Sequence, residues 1–301
     1  MKKILVTGSN GLLGQKLVYK LKDRKDVELT ATARGNDRLL NQSGYTFLSL
    51  NIEDQNNVDS VIDSIKPDHI IHTAAMTQVD DCELNHAACD RANVEAVQYI
   101  TEAAERNNCH LVHISTDFIF NGKDGPYDET AVADPLSYYG NAKWKGELIV
   151  QNSNLKWVIL RTVLTYGIVD NMSRSNIVLW AKGALEKGNS INVVDDQFRS
   201  PTWAEDLADA CILAVEKSAT GIYNISGKET LSIIDLVKEV ADYYGLNKEL
   251  INPVSSKTLN QAAKRPPNTE LIIDKARREL GYKPHSFKEG IALMEKQIQN
   301  L

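Results

Sequence analysis

In the first 165 residues, short runs rich in Ile, Val and Leu alternate with stretches of helical periodicity, and nothing else in the chain restricts its fold as strongly. The runs are KILVT (3–7), ELTAT (28–32), TFLSL (46–50), HIIHTA (69–74), HLVHIS (110–115) and WVILRT (157–162). The amphipathic stretches lie near 12–22, 55–65, 86–106 and 138–152. Strands that are apolar on both sides need cover on both faces, and a helix between successive strands makes their pairing parallel. The expected fold class is α/β, a doubly wound parallel sheet. At 301 residues the chain exceeds the usual size of one hydrophobic core. Beyond about residue 165 the rhythm loosens, with helices expected near 174–187, 203–217, 231–244 and 286–298 and short strands at INVV (191–194) and GIYNIS (221–226). The segment 251–270, which contains Pro253, Pro266 and Pro267, reads as loop. Residues 1–165 are thus expected to form the sheet domain, to which the strands near 191–194 and 221–226 are candidates to return. Residues 166–301 are expected to form mainly a smaller C-terminal α/β lobe.

Composition excludes several functions. The formal net charge is −6 and there is no basic block, which argues against a nucleic-acid partner. The apolar run in MKKILVTGSNG extends only from Ile4 to Val6, and no stretch approaches the ~20 apolar residues of a membrane span. A cytoplasmic protein with no membrane partner is expected. Cys82, Cys89, Cys109 and Cys211 show neither C-x-x-C nor any other metal spacing, so reduced, buried thiols are expected. His69/His72 and His110/His113 each form H-x-x-H, but residues three apart on a strand point to opposite faces. Neither pair can hold one ion, and no metal is expected.

VTGSNGLLG places Gly8, Gly11 and Gly14 directly after the first strand and into the first helix. Glycines there let the backbone approach a pyrophosphate whose charge meets the helix N-terminus. Gly8, Ser9, Asn10, Gly11, Leu12, Leu13 and Gly14 are therefore candidate cofactor contacts. The second strand ends in TATARG, which offers no acid to a ribose 2′-hydroxyl but supplies Arg34 just beyond. Arginine suits a 2′-phosphate, so NADPH is the expected cofactor, with NADH the alternative.

In LSYYGNAKWKGE (136–147), only Tyr139 and Lys143 among the Tyr/Lys pairs stand four apart and so share one helix face. The fifth strand ends at Ser115-Thr116-Asp117, and ligands of doubly wound sheets sit beyond the carboxyl ends of strands. Gly-x-x-Gly-x-x-Gly together with Tyr-x-x-x-Lys resembles the extended short-chain dehydrogenase/reductase family, in which the second motif is the catalytic signature. The resemblance implies a Rossmann dinucleotide-binding domain over 1–165 and a substrate-binding lobe after it. A tyrosine with an ordinary pKa of about 10 holds a proton to give at neutral pH. Lys143 and an oxidised nicotinamide would lower that value. Thr116 would hold the substrate oxygen, Lys143 would bridge to the nicotinamide ribose, and Tyr139 would protonate the oxygen as general acid. The resemblance also places Asn51 and Ile52 beside the adenine, and Thr73, Ala74 and Ala75 along the cofactor.

STDFIFNG (115–122), LRTVLTYG (160–167) and VVDDQFRSPTWAEDLA (193–208) resemble, within that family, the dTDP-4-dehydrorhamnose reductase group. This implies reduction of a nucleotide-linked 4-ketosugar, with Thr77, Val79, Asp117, Phe118 and Arg199 toward the substrate. Phe118 stands where the group usually has Tyr, Leu164 where it has Trp, and Arg199 where it often has Gly. The substrate-facing surface therefore differs, and with it the sugars it would accept. Phe118 also occupies the position of the glutamate in the Thr-Asp-Glu of 4,6-dehydratases, which argues against elimination. One alternative is a non-catalytic NADP-binding subunit resembling the regulatory subunit of methionine adenosyltransferase. Another is a nucleotide-sugar epimerase, against which Arg34 argues. The resemblance allows a homodimer.

Overall fold

The computed structural model describes residues 1–172 and 174–299. Strand β1 (Lys2–Thr7) leads into α1 (Leu12–Leu21), followed by β2 (Val27–Ala33), β3 (Thr46–Ser49), α2 (Gln55–Ile65) and β4 (His69–His72). Two short helices, α3 (Val79–Leu84) and α4 (His86–Asp90), precede a π-helical turn over Arg91–Glu95 that runs on into α5 (Ala96–Arg106). Then come β5 (His110–Thr116), α6 (Tyr138–Gln151) and β6 (Lys156–Thr162). The remainder holds β7 (Thr165–Tyr166), α7 (Ile177–Glu186), β8 (Ile191–Val194), β9 (Phe198–Arg199), β10 (Thr202–Trp203) and α8 (Ala204–Glu216). It closes with β11 (Gly221–Ile225), β12 (Leu231–Ser232), α9 (Ile233–Tyr244), β13 (Ile251–Val254) and α10 (Phe287–Ile298).

The main sheet has the order β11-β6-β5-β4-β1-β2-β3, and every pair in it is parallel. Chain order runs outward from β1 in both directions, so the sheet is doubly wound and reverses between β1 and β4. Pleating sends alternate residues of β1 to opposite faces. Ile4 and Val6 enter one core with Leu17, Val18 and Leu207, whereas Leu5 joins Ile62, Ile70, Val97 and Ile100 in another. Burial on both sides is why these strands carry unbroken aliphatic runs. Helix starts follow local signals. Asp54 caps α2 by accepting from the Asn57 N–H, and Ser286 with Glu289 forms a capping box on α10.

A further core, including Val178, Ala181, Val237, Val240, Ile291 and Met294, packs α7, α9 and α10 together. The two strands that are candidates to return to the main sheet diverge. β11 does return, pairing with β6 so that Ile222 faces Ile159. Residues 191–194 do not: β8 pairs instead with β13, Ile191 opposite Ile251. The segment expected to be loop from residue 251 therefore opens with a strand. Pro253 is tolerated there because β13 has a neighbour on one side only.

The H-x-x-H histidines meet across strands rather than along them. His69 Nδ1 lies 3.1 Å from His110 Nδ1, and His72 stacks on His113. Among the described residues, no group of three or more His, Cys, Asp or Glu side chains could hold a metal ion. Nor is any helix among them long and apolar enough to cross a membrane.

Candidate active site

A cleft of about 1360 Å³ opens at the carboxyl ends of β1, β4 and β5, where the strand order reverses. Gly8 has φ +71, and a Cβ there would lie 2.8 Å from the Cα of Ala74. A Cβ on Gly14 would overlap the carbonyl oxygen of Gly8. Helix α1 is thereby pressed against the turn at Gly8, and that turn against the segment that follows β4. Gly11 caps the helix without a side chain, which leaves the first backbone N–H groups of α1 beside the cleft. Beneath them, Thr73 Oγ1 donates to the Thr7 carbonyl (2.6 Å) and Thr7 Oγ1 meets His72 Nδ1 (2.8 Å).

Of the residues singled out above, Gly8, Asn10, Gly11, Leu12, Leu13, Gly14, Arg34, Asn51, Ile52, Thr73, Ala74 and Ala75 line this cleft. So do Thr77, Val79, Thr116, Asp117, Phe118, Tyr139, Lys143 and Arg199. Ser9 is the exception. Its N–H donates to the Thr32 carbonyl (2.9 Å), which ties the loop to β2 and leaves its side chain fully buried off the cleft wall. Arg34 projects at the outer end, its side chain 77% exposed and 3.7 Å from Glu53. Arg38 stands on the same wall, and sequence reasoning missed it. Its only signal is a second cation four residues after the first.

At the inner end, the Ser137 hydroxyl accepts from the Gly140 N–H and starts α6. Tyr139 and Lys143 turn inward one helical turn apart, 8% and 4% exposed. Tyr138 faces the other way, donating to Asp90 (2.6 Å) and stacking on His86. Lys143 Nζ donates to the Ile114 carbonyl near the end of β5 (2.7 Å). Burial lowers this ammonium to about 8, against the pull of the Glu147 carboxylate. Glu147, one further turn along the same face, is gripped by Arg161 of β6 through Nη2 (2.8 Å) and Nε (3.0 Å). The Tyr139 ring meets Phe118 edge-on, and its phenol lies close enough to the Thr116 hydroxyl to feel it. Burial pushes the phenol up, and the Thr116 hydroxyl pulls the other way. Lys143 is expected from the sequence to lower this group; in the structure burial is the largest influence on it, and the groups that act on it beside burial are Thr116, Asp117, Cys82 and Cys89.

Asp117 sits behind Thr116 and is fully enclosed. It accepts from Thr116 Oγ1 (3.1 Å) and from the Thr269 hydroxyl, and Arg199 Nε lies 3.8 Å away. Burial raises its carboxyl and the guanidinium opposes that rise. Arg199, expected to face substrate, spends its other donors on the carbonyls of Phe198 (2.7 Å), Pro266 (2.7 Å) and Pro267 (3.3 Å). It fastens the proline pair to the sheet edge. Arg265, just before that pair, bonds Asp80 at 2.7 Å and lines the cleft with Gln261, Arg91 and Arg174.

Asn93 also escapes sequence reasoning. It lies in the π-helical turn, donates to the Met76 carbonyl (2.9 Å) and accepts from the Met76 N–H (3.0 Å), so it clasps the loop that carries Met76 and Thr77. π-Turns are often found at functional sites, but periodicity reads 86–106 as one plain helix. Asn176 caps α7 and lines the cleft, whereas Trp203 packs in the core of α7, α9 and α10.

Residues 1–300 match the RmlD substrate binding domain family. The chain is 33% identical to a dTDP-4-dehydrorhamnose reductase of Aggregatibacter actinomycetemcomitans, over 97% of each chain. It is 30% identical to methionine adenosyltransferase 2 subunit beta of Danio rerio, over 90% of this chain and 82% of that protein. A dTDP-4-dehydrorhamnose reductase of Bacillus anthracis, solved in complex with NADP, superposes with a TM-score of 0.84 at 28% identity, over 99% of this chain and 100% of that one.

Proposed function

We propose that this chain, which belongs to the RmlD substrate binding domain family, is an NADPH-dependent reductase of a nucleotide-linked 4-ketosugar. One observation carries the reading: Thr116, Tyr139 and Lys143 converge in the same cleft as the glycine loop. The main sheet would hold the cofactor and the lobe built on α7, α9 and α10 would face the sugar. The glycine loop fits a pyrophosphate because a side chain at Gly8 or Gly14 would fill the space, and Arg34 and Arg38 would take the 2′-phosphate. Asn51, Ile52 and Thr73 to Ala75 would line the adenosine and nicotinamide halves.

When bound, NADPH supplies the hydride that converts the ketone carbon to an alcohol. Thr116 would turn its hydroxyl from Asp117 to hold the ketone oxygen. Tyr139 keeps its proton at neutral pH because burial favours the uncharged phenol. The oxygen, as it becomes an alkoxide, is a stronger base than a phenolate, so the proton moves from Tyr139 Oη to it. Below about pH 8 Lys143 is an ammonium, and its charge stabilises the phenolate left behind. The A. actinomycetemcomitans reductase and the NADP complex from B. anthracis support this substrate class and cofactor.

The test follows NADPH oxidation with a panel of nucleotide-linked 4-ketosugars, at least one of which should turn over. Tyr139→Phe should lower turnover by about 10²–10⁴ while NADPH still binds. Unchanged turnover would remove Tyr139 from the mechanism. The similarity to the D. rerio subunit supports a second reading, a non-catalytic NADP-binding subunit. Tight NADPH binding with no turnover across the whole panel would favour it.

A further inference from the structure

Residues 34–45, which border the proposed adenosine end, contain neither helix nor strand. A loop of this kind pays conformational entropy to stay in one shape, yet it is pinned by residues remote in the chain. Asn10 of the glycine loop donates to the Asn36 carbonyl (2.8 Å) and accepts from the Arg38 N–H (2.9 Å). From the segment between β7 and α7, Asn171 Nδ2 donates to the Arg38 carbonyl (2.9 Å). Its neighbour Asp170 accepts from the Leu40 N–H (2.9 Å) and from the Tyr19 hydroxyl. The peptide unit of Arg38 is therefore gripped from both sides, by the glycine loop and by a segment more than 130 residues downstream.

The grip is itself built in. Gln15 on α1 donates to the Asp170 carbonyl and accepts from the Asp170 N–H, both at 3.0 Å. Asp170 is 6% exposed, and a carboxylate so enclosed is costly unless donors reach it; the Leu40 amide and Tyr19 do. Asn171 adopts φ +46, a conformation asparagine tolerates better than most residues.

We infer that Asp170 and Asn171 are positioning residues that set the place of Arg38, and hence the preference for a cofactor carrying a 2′-phosphate. The inference rests on the assignment of Arg34 and Arg38 to that phosphate. A merely structural role would weaken NADPH and NADH alike; a positioning role weakens NADPH alone.

Dissociation constants for NADPH and NADH, read from nicotinamide fluorescence, test this in the wild type and in Arg34→Ala, Arg38→Ala, Asp170→Ala, Asn171→Ala and Tyr19→Phe. Asp170→Ala should weaken NADPH about tenfold, the loss expected of one charge-assisted hydrogen bond, and leave NADH within about twofold. Tyr19→Phe, which deletes one hydroxyl and spares the fold, should shift the ratio in the same direction by less. If the arginine variants lose NADPH preference while the Asp170, Asn171 and Tyr19 variants keep the wild-type ratio, the inference alone falls. If the arginine variants also keep that ratio, the 2′-phosphate assignment fails and takes the inference with it.

Discussion

Replacing Lys143 by methionine measures how strongly the fold desolvates its ammonium. Lys143 is 4% exposed, and burial lowers its pKa from 10.5 to about 8. The difference, 10.5 − 8 = 2.5, corresponds to about 3.4 kcal/mol at ~1.36 kcal/mol per pH unit. That is the free energy by which folding disfavours the charged form. Below pH 8 the lysine is protonated folded and unfolded, so the wild type bears the whole cost. Between pH 8 and 10.5 the folded lysine is neutral while the unfolded one still binds its proton. The unfolded state then holds more protons, and stability rises by about 1.4 kcal/mol per pH unit. Above 10.5 both are neutral and the cost is gone. Methionine has no such titration, and the lost hydrogen bond to the Ile114 carbonyl weighs the same at every pH. Urea unfolding of both proteins should therefore show the wild type gaining about 3 kcal/mol on Lys143→Met between pH 7 and 10.5, nearly all of it above pH 8. A difference flat to within ~0.5 kcal/mol would falsify the desolvation argument. At pH 7 the variant should also lose turnover, since the site keeps a group that opposes folding for the sake of its charge.

Glu147→Gln leaves Arg161 buried without its counter-charge and should cost about 3–5 kcal/mol in urea unfolding; a loss under ~1 kcal/mol would mean the pair is not desolvated as its burial implies. Gly14→Ala drives a methyl group into the Gly8 carbonyl, so it should weaken NADPH and NADH together by about tenfold or more. Wild-type affinity in that variant would remove the glycine loop from the cofactor site. Asn93→Ala removes two hydrogen bonds from Met76 and should destabilise the protein by about 2 kcal/mol. Its KM for substrate should rise more than its KM for NADPH, and an equal rise in both would show that the clasp does not shape the substrate wall.

How much of this molecule was legible beforehand depends on the range of the interactions involved. Unbroken aliphatic runs separated by amphipathic stretches identify a parallel sheet covered on both faces, because each run reports its own burial. Gly8 and Gly14 were readable for the same reason: a left-handed turn and a close backbone approach tolerate no side chain, wherever the rest of the chain goes. The spacing of Tyr139 and Lys143 put them on one helical face before any tertiary contact was known. Which tyrosine faced inward was legible too, since Tyr138 has no lysine four residues on.

Packing decided the rest. β8 had several strands it could have joined, and only the placement of α9 against it and β13 chose the pairing of Ile191 with Ile251. Arg199 reads from sequence as a residue toward the substrate; it does line the cleft, but folding also sets it against the carbonyls of Pro266 and Pro267, and the buried Pro266 carbonyl takes its Nη2 donor. Lys143 and Tyr139 have ordinary acidities in the unfolded chain, and enclosure beneath the cleft moves them apart from those values in opposite directions, the ammonium down and the phenol up. Periodicity and turn chemistry are properties of neighbours in the chain. Desolvation and partner choice belong to groups that meet only after the chain has closed on itself, and no local pattern records them.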